Sequence, residues 1–366
     1  VLKVLQIPHS PYKRRKPAAI LTPGSQKWVD RQAPLKASKW RSKEEFARMT
    51  GRADLLDKLA QLSQPALGAS SSNGSEKEFL RKRAKRKYFT QYLAGQLAML
   101  ESPLKKAYRN SLHCCSELKQ HEDKITAKYC KNRWCMVCNS IRTAKNINGY
   151  EPEFKKLLDP QFLTLTVPNV KKDELRETIR CMKKTWQAVY KKFHRQCQKL
   201  KIKLVGVQKL ECTYNAVEDT YHPHFHFIID GKPIASAIHD EWLARFPSAR
   251  RAAQDLRPAD LNSMKEMFKY FTKVVTTSGN TRRIYIPAMD VIFQAMQGFR
   301  VFQPFGIKAV NDEPDDLEAI TLEEKVDQLV WWKWTGNDWH DTATGKPLTG
   351  FERVTVYDEL FKNAAL

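Results

Sequence analysis

The sequence predicts an α+β protein in which antiparallel strands pack beneath long helices, with a cysteine-rich helical region ahead of them. Three stretches carry that reading. Residues 205–215 (VGVQKLECTYN) and 221–230 (YHPHFHFIID) have strand composition, and the polar residues between them turn the chain back antiparallel. Residues 162–169 (FLTLTVPN) alternate apolar and threonine positions up to a terminating proline, which predicts a third strand beside the histidine-bearing one. Between residues 171 and 203, Leu175, Ile179, Met182, Trp186, Val189 and Phe193 recur at alternating steps of four and three. That spacing lays one apolar stripe along a helix, which covers one face of the sheet.

Size and charge narrow the function. A chain of 366 residues with 42% hydrophobic content supports two or three domains with sizeable cores and excludes a disordered protein. A formal charge of +23 calls for an acidic partner. No apolar run is long enough to span a bilayer, so nucleic acid is expected and a membrane is not. The eight cysteines form one tight cluster plus three scattered residues. That clustering predicts a metal site in a reducing cytoplasm rather than a disulfide framework.

Taken in order, residues 1–67 read as a basic, proline-spaced arm followed by a helix carrying Phe46, Met49, Leu55, Leu59 and Leu62. Residues 68–75 (GASSSNGS) have the composition of a flexible linker. Residues 76–150 are expected to be a helical, basic, zinc-binding region. Its first helix carries Arg81, Lys82, Arg83, Lys85, Arg86 and Lys87, a candidate phosphate rail. The knuckle Cys135-x2-Cys138 follows, with Cys130 just before it and Cys114 or Cys115 upstream. Four thiolates of this kind suit a closed structural zinc site, and Lys131 and Arg133 within it are candidate DNA contacts.

Residues 151–306 form the expected catalytic domain, which includes a helix at 238–246 and a connector at 252–261. On a helix Glu266, Tyr270 and Lys273 fall at i, i+4 and i+7 and share one face. A strand at 283–287, a helix at 288–297 and a strand at 298–306 complete this domain. Residues 307–366 are expected to be an acidic linker at 312–327 followed by a segment in which Trp331, Trp332, Trp334 and Trp339 make a small hairpin core or, as the second reading, stack on unpaired bases.

Side chains alternate faces along a strand, so His222, His224 and His226 point one way while Phe225, Phe227 and Ile229 enter the core. Imidazoles at i and i+2 on a rigid strand are spaced to hold one divalent metal. Glu211, placed opposite His226, completes a mixed nitrogen and oxygen site, whereas a one-residue slip removes it. An open site of this composition suits Mg²⁺ or Mn²⁺ acting on a phosphoryl oxygen.

Four ordered motifs, YCKNRWCMVC, FLTLTVPN, LECTYN with HPHFHFIID, and EMFKYFTK, together resemble the single-tyrosine HUH endonucleases, the rolling-circle replication initiators of small bacterial plasmids. The resemblance runs from about Cys114 to Gly306 and implies a five-stranded antiparallel sheet with helices on one side, a ferredoxin-like or RRM-like palm. It further implies that His224 and His226 are the HUH metal pair, that Tyr270 is the nucleophile, and that Glu266 activates the water that ends the cycle. Lys273 joins the metal in stabilising charge on the phosphate. His222 also sits in the family pattern, and Met136 stands where proline is usual. The partners implied are single-stranded or hairpin origin DNA and a host helicase and polymerase. A single-strand transposase shares the HUH chemistry. A non-catalytic zinc-stabilised RRM-like binder would instead need exposed sheet aromatics, which HPHFH does not supply.

Overall fold

The computed structural model describes residues 72–260, 263, 267–268, 275–278, 281–311, 313–314 and 320–353. The arm and helix expected in 1–67 lie outside these residues, as do Glu266, Tyr270 and Lys273.

The central sheet is built by β2 (Pro160–Thr166), α4 (Lys172–Lys199), β3 (Gly206–Asn215), β4 (Thr220–Asp230), α5 (Lys232–Arg245) and β5 (Asp255–Pro258). With β8 (Phe302–Phe305) the strand order is β5-β2-β4-β3-β8, antiparallel throughout. The first four strands therefore have the βαββαβ connectivity of a ferredoxin-like or RRM-like sheet, with β8 added at the β3 edge. Gly206 lets that edge close, since a Cβ there would lie 2.3 Å from the Ile228 carbonyl oxygen and 2.6 Å from the Phe305 ring. On one face Leu163, Leu165, Leu210, Phe225, Phe227 and Ile229 form a core with the buried stripe of α4, with α5 and with α6 (Ile286–Met296).

The opposite face has an apolar cluster of its own. Phe162, Val207 and Ile228 lie under Met267, Phe268 and the Tyr150 and Phe154 rings of α3 (Met136–Phe154). The helices are thus not confined to one side, because α3 caps one end of the face that carries the histidines further along.

A second module precedes and follows the palm in sequence. α1 (Ser72–Ala98) packs on a three-stranded sheet of β1 (Glu117–Ala127), β9 (Ile320–Trp334) and β10 (Trp339–Asp341), and α2 (Lys105–Leu112) packs on α1. Its core includes Leu80, Ala84, Leu118, Ile125, Trp334 and Trp339, together with the thiols.

Several expectations are corrected here. Residues 72–75 of the expected linker are already helical, and the boundary at 150/151 falls inside α3. The region 76–150 contains a strand, β1, and the connector at 252–261 contains β5. Part of the expected acidic linker is β9, paired with β1 some 200 residues earlier. The tryptophans divide: Trp334 and Trp339 are buried with rings 4.8 Å apart, whereas Trp331 is exposed beneath the Lys119 ammonium, 4.4 Å from its ring. The remaining described hairpin joins β6 (Val275–Ser278) to β7 (Thr281–Ile284).

Candidate active site

Sheet register assembles the site. His224 stands opposite Glu211 on β3 and Thr166 on β2, while in the next row His226 stands opposite Lys209 and Thr164. The partner expected for Glu211 was His226. The true register differs by two residues, and because strand faces repeat every two residues Glu211 still joins the histidine face.

Ligand atoms of Glu211, His224 and His226 lie within 4.8 Å of one another, a grouping able to hold a metal ion. Its surroundings orient the rings. His224 Nδ1 lies 3.0 Å from the His222 carbonyl oxygen, which can only accept, so Nδ1 donates to it and Nε2 is the nitrogen left to ligate. His226 Nδ1 meets the Thr164 hydroxyl at 3.0 Å and turns Nε2 to within 3.6 Å of Glu211 Oε2. The His226 ring stacks on Phe162, centroids 5.2 Å apart, and the Arg257 guanidinium lies 4.6 Å from that Phe162 ring. Such outer partners fix tautomer and orientation in metal sites. His222 stacks against His224 with centroids 5.1 Å apart, but its ring is not in the converging set.

Lys209 was not anticipated. Its ammonium is 3.1 Å from Glu211 Oε2, and its side chain is only 3% exposed. The signal was present in the spacing, since Lys209 precedes Glu211 by two residues and so shares its face.

The thiol set is Cys114, Cys130, Cys135 and Cys138. Cys114 and Cys138 sulfurs are 3.6 Å apart, and Cys130 and Cys138 sulfurs 3.7 Å. A tetrahedral metal with bonds of about 2.3 Å to sulfur has ligands roughly 3.8 Å apart, so the residues fit. Hydrogen bonds within the set, first between Cys114 and Cys130, drive the Cys130 thiol far below its ordinary range and Cys114 far above it. Cys115 faces elsewhere, in a left-handed conformation (φ 55°), with its thiol pushed up to about 11 chiefly by burial. Cys135 caps α3, its sulfur accepting the Cys138 N–H at 3.5 Å, while Thr90 Oγ1 accepts the Met136 N–H at 3.0 Å.

The basic run on α1 is not a uniform rail. Arg83 and Lys87 are buried: Arg83 donates to the Tyr129 hydroxyl at 2.7 Å, and Lys87 to the Leu112 carbonyl oxygen at 2.6 Å and Ser116 Oγ at 2.9 Å. Neither can lie along DNA in this fold. Arg81 and Lys82 are exposed, Lys85 and Arg86 half-buried. Lys131 is exposed, whereas Arg133 reaches the Phe299 carbonyl oxygen at 3.4 Å.

Residues 122–233, from within β1 through the histidine strand into α5, match the sequence model of a family described as Replication protein (Rep_1). The likeness to replication proteins lies in that segment. In particular the chain is similar to three proteins named Protein rep. One, from Streptococcus pneumoniae serotype 2 (strain D39 / NCTC 7466), is 30% identical over 160 residues, 39% of this chain and 47% of that protein. Another, from Staphylococcus aureus, is 36% identical over 109 residues, 28% of this chain and 45% of that protein. A third, from Bacillus amyloliquefaciens, is 34% identical over 142 residues, 35% and 40% of the two chains. The chain thus spans less than half the length of these relatives. No solved structure gives a significant match.

Proposed function

We propose that this protein is a plasmid rolling-circle replication initiator that nicks single-stranded origin DNA through Tyr270. The observation that carries the reading is the convergence of Glu211, His224 and His226 on one sheet face, inside the segment that matches replication proteins. These three residues would hold a divalent cation, Mg²⁺ or Mn²⁺, which when bound supplies Lewis-acid stabilisation to a phosphoryl oxygen. The thiol set would hold a structural zinc, closed to substrate.

The chain's own groups do the rest. Tyr270 Oη bonds to phosphorus as the bond from phosphorus to the 3′ oxygen breaks, and the phenolic proton ends on that oxygen. The products are a 5′-phosphotyrosine ester and a free 3′-hydroxyl that primes a host polymerase, with a host helicase opening the duplex. Lys273 would add a cation near the phosphate, and Glu266 would take the proton from the water that later releases the enzyme. These three roles rest on the resemblance. Phe268, buried against Phe162 and Ile228 one row from His226, supports them by anchoring the chain two residues before Tyr270.

The test is a labelled single-stranded origin oligonucleotide incubated with Mn²⁺ and run on a denaturing gel. The parent should form a covalent adduct. Tyr270→Phe should form none, and His224→Ala and His226→Ala should lose cleavage while keeping the parent's circular dichroism. An adduct in Tyr270→Phe, or full activity in the double histidine variant, would overturn the reading.

A further inference from the structure

We propose that Lys209 sets the charge of the nuclease site, and that it does so through Glu211. The proposal rests on the nuclease reading above. Lys209 stands opposite His226 on the sheet, and its Nζ lies 3.1 Å from the Glu211 carboxylate. Glu211 is 7% exposed and Lys209 2%. Neither charge would tolerate that burial without the other. Without a cation the pair sums to zero, so the face folds with no net charge on its two buried ions.

A divalent cation bound by Glu211, His224 and His226 changes the sum. Carboxylate, ammonium and cation together give a net charge of +2. A phosphodiester in its ground state carries one negative charge, and the transition state of nucleophilic attack approaches two. Among the sheet residues that would hold the cation, Lys209 thus raises the charge from +1 to +2, toward that of the transition state and away from that of the bound substrate. Only charge that favours the transition state over the ground state accelerates the step. The ammonium also repels the incoming cation and competes with it for Glu211. Lys209 thus weakens cation binding while quickening cleavage. A residue that merely kept Glu211 in place would do the opposite to the first quantity, because its loss would misplace a ligand and weaken the metal.

The experiment titrates the zinc-loaded protein, as purified, with Mn²⁺ followed by electron paramagnetic resonance. Thiolates favour soft metals, so the probe reports the nitrogen and oxygen site. Lys209→Met should bind Mn²⁺ at least about fivefold more tightly than the parent, and at saturating Mn²⁺ should cleave at least about tenfold more slowly. Lys209→Arg, which keeps the charge, should stay within about threefold of the parent on both. Weaker Mn²⁺ binding in Lys209→Met, or an unchanged cleavage rate, would overturn the proposal. Should circular dichroism show Lys209→Met unfolded, Lys209→Gln is judged by the same two criteria. A parent protein that binds no Mn²⁺ would remove the nuclease reading itself, and this proposal with it.

Discussion

At the scale of single residues, the alternation of strand faces made most of the site legible. His224, His226 and Glu211 were readable because an even shift in register leaves a face unchanged. Lys209 obeys the same rule, but in a chain with 63 lysines and arginines nothing local marks one lysine as buried. Arg83 and Lys87 failed in the reverse sense: a run of six basic residues in seven positions looks like surface, yet helical geometry turns every third or fourth residue inward. Both found acceptors there. The spacing also left Cys114 and Cys115 undecided, and only the backbone between them separates the two. Cys114→Ala should therefore abolish zinc retention in elemental analysis. Cys115→Ala should keep one zinc per chain and lose only the packing of a small buried side chain, about 1–2 kcal/mol in urea unfolding. Equal zinc loss in both would exclude the thiol set described here. Glu266→Ala should still form the adduct yet fail to release product on an oligonucleotide with two successive nick sites. Release at the parent rate would leave Glu266 as no more than a partner for neighbouring lysines.

Elements with strong periodicity, α4 above all, were legible in full, whereas β1 and β9 were not. Their pairing spans most of the chain, and β1 breaks register on either side of Glu122, which takes a left-handed conformation (φ 53°). No local pattern announces a strand whose partner and bulges decide which residues are buried. The pair matters to the thiols through Trp339, which is fully buried and donates from Nε1 to the Cys115 carbonyl oxygen at 2.8 Å. Trp339→Ala should cost about 3–5 kcal/mol and release zinc at lower denaturant than the parent. On α4, Lys183 donates to the Arg300 carbonyl oxygen, and its pKa is pulled down to about 8, first by burial and then by Arg133 and Arg300. Below pH 8 the ammonium is charged in both states and its folded-state cost is present in full. Between about 8 and 10.5 the folded protein has released a proton that the unfolded chain keeps, so stability from this group rises with pH. Thermal melts should show the parent gaining on Lys183→Met across that window. A constant difference would assign Lys183 no such shift.

For the molecule as a whole, α3 joins the two modules. Its N-terminus carries Cys135 and Cys138 of the thiol set, while Tyr150 and Phe154 near its C-terminus cover the sheet face one row from His226. The junction is reinforced beside it. Trp134 lies between Tyr108 of α2 and Phe293 of α6, with ring centroids 5.1 and 5.3 Å away. Asp290, 6% exposed, accepts from the Tyr108 hydroxyl and Ser102 Oγ, each at 2.6 Å, and from Gln294 Nε2 at 2.9 Å. A buried carboxylate with three donors is costly to loosen, since any opening of the interface strands it. The thiol-bearing module and the palm should therefore open as one cooperative unit although their sheets are separate. Native-state hydrogen exchange tests this. Removing zinc with a strong chelator should lower protection along the whole of α3, including residues 147–154, which hold no thiol. It should lower it on β4 as well, because the cover over Phe162 and Ile228 leaves with α3. Loss confined to residues 130–141, with Tyr150, Phe154 and the histidine strand as protected as in the zinc-loaded protein, would show that the thiol set supports only its own module.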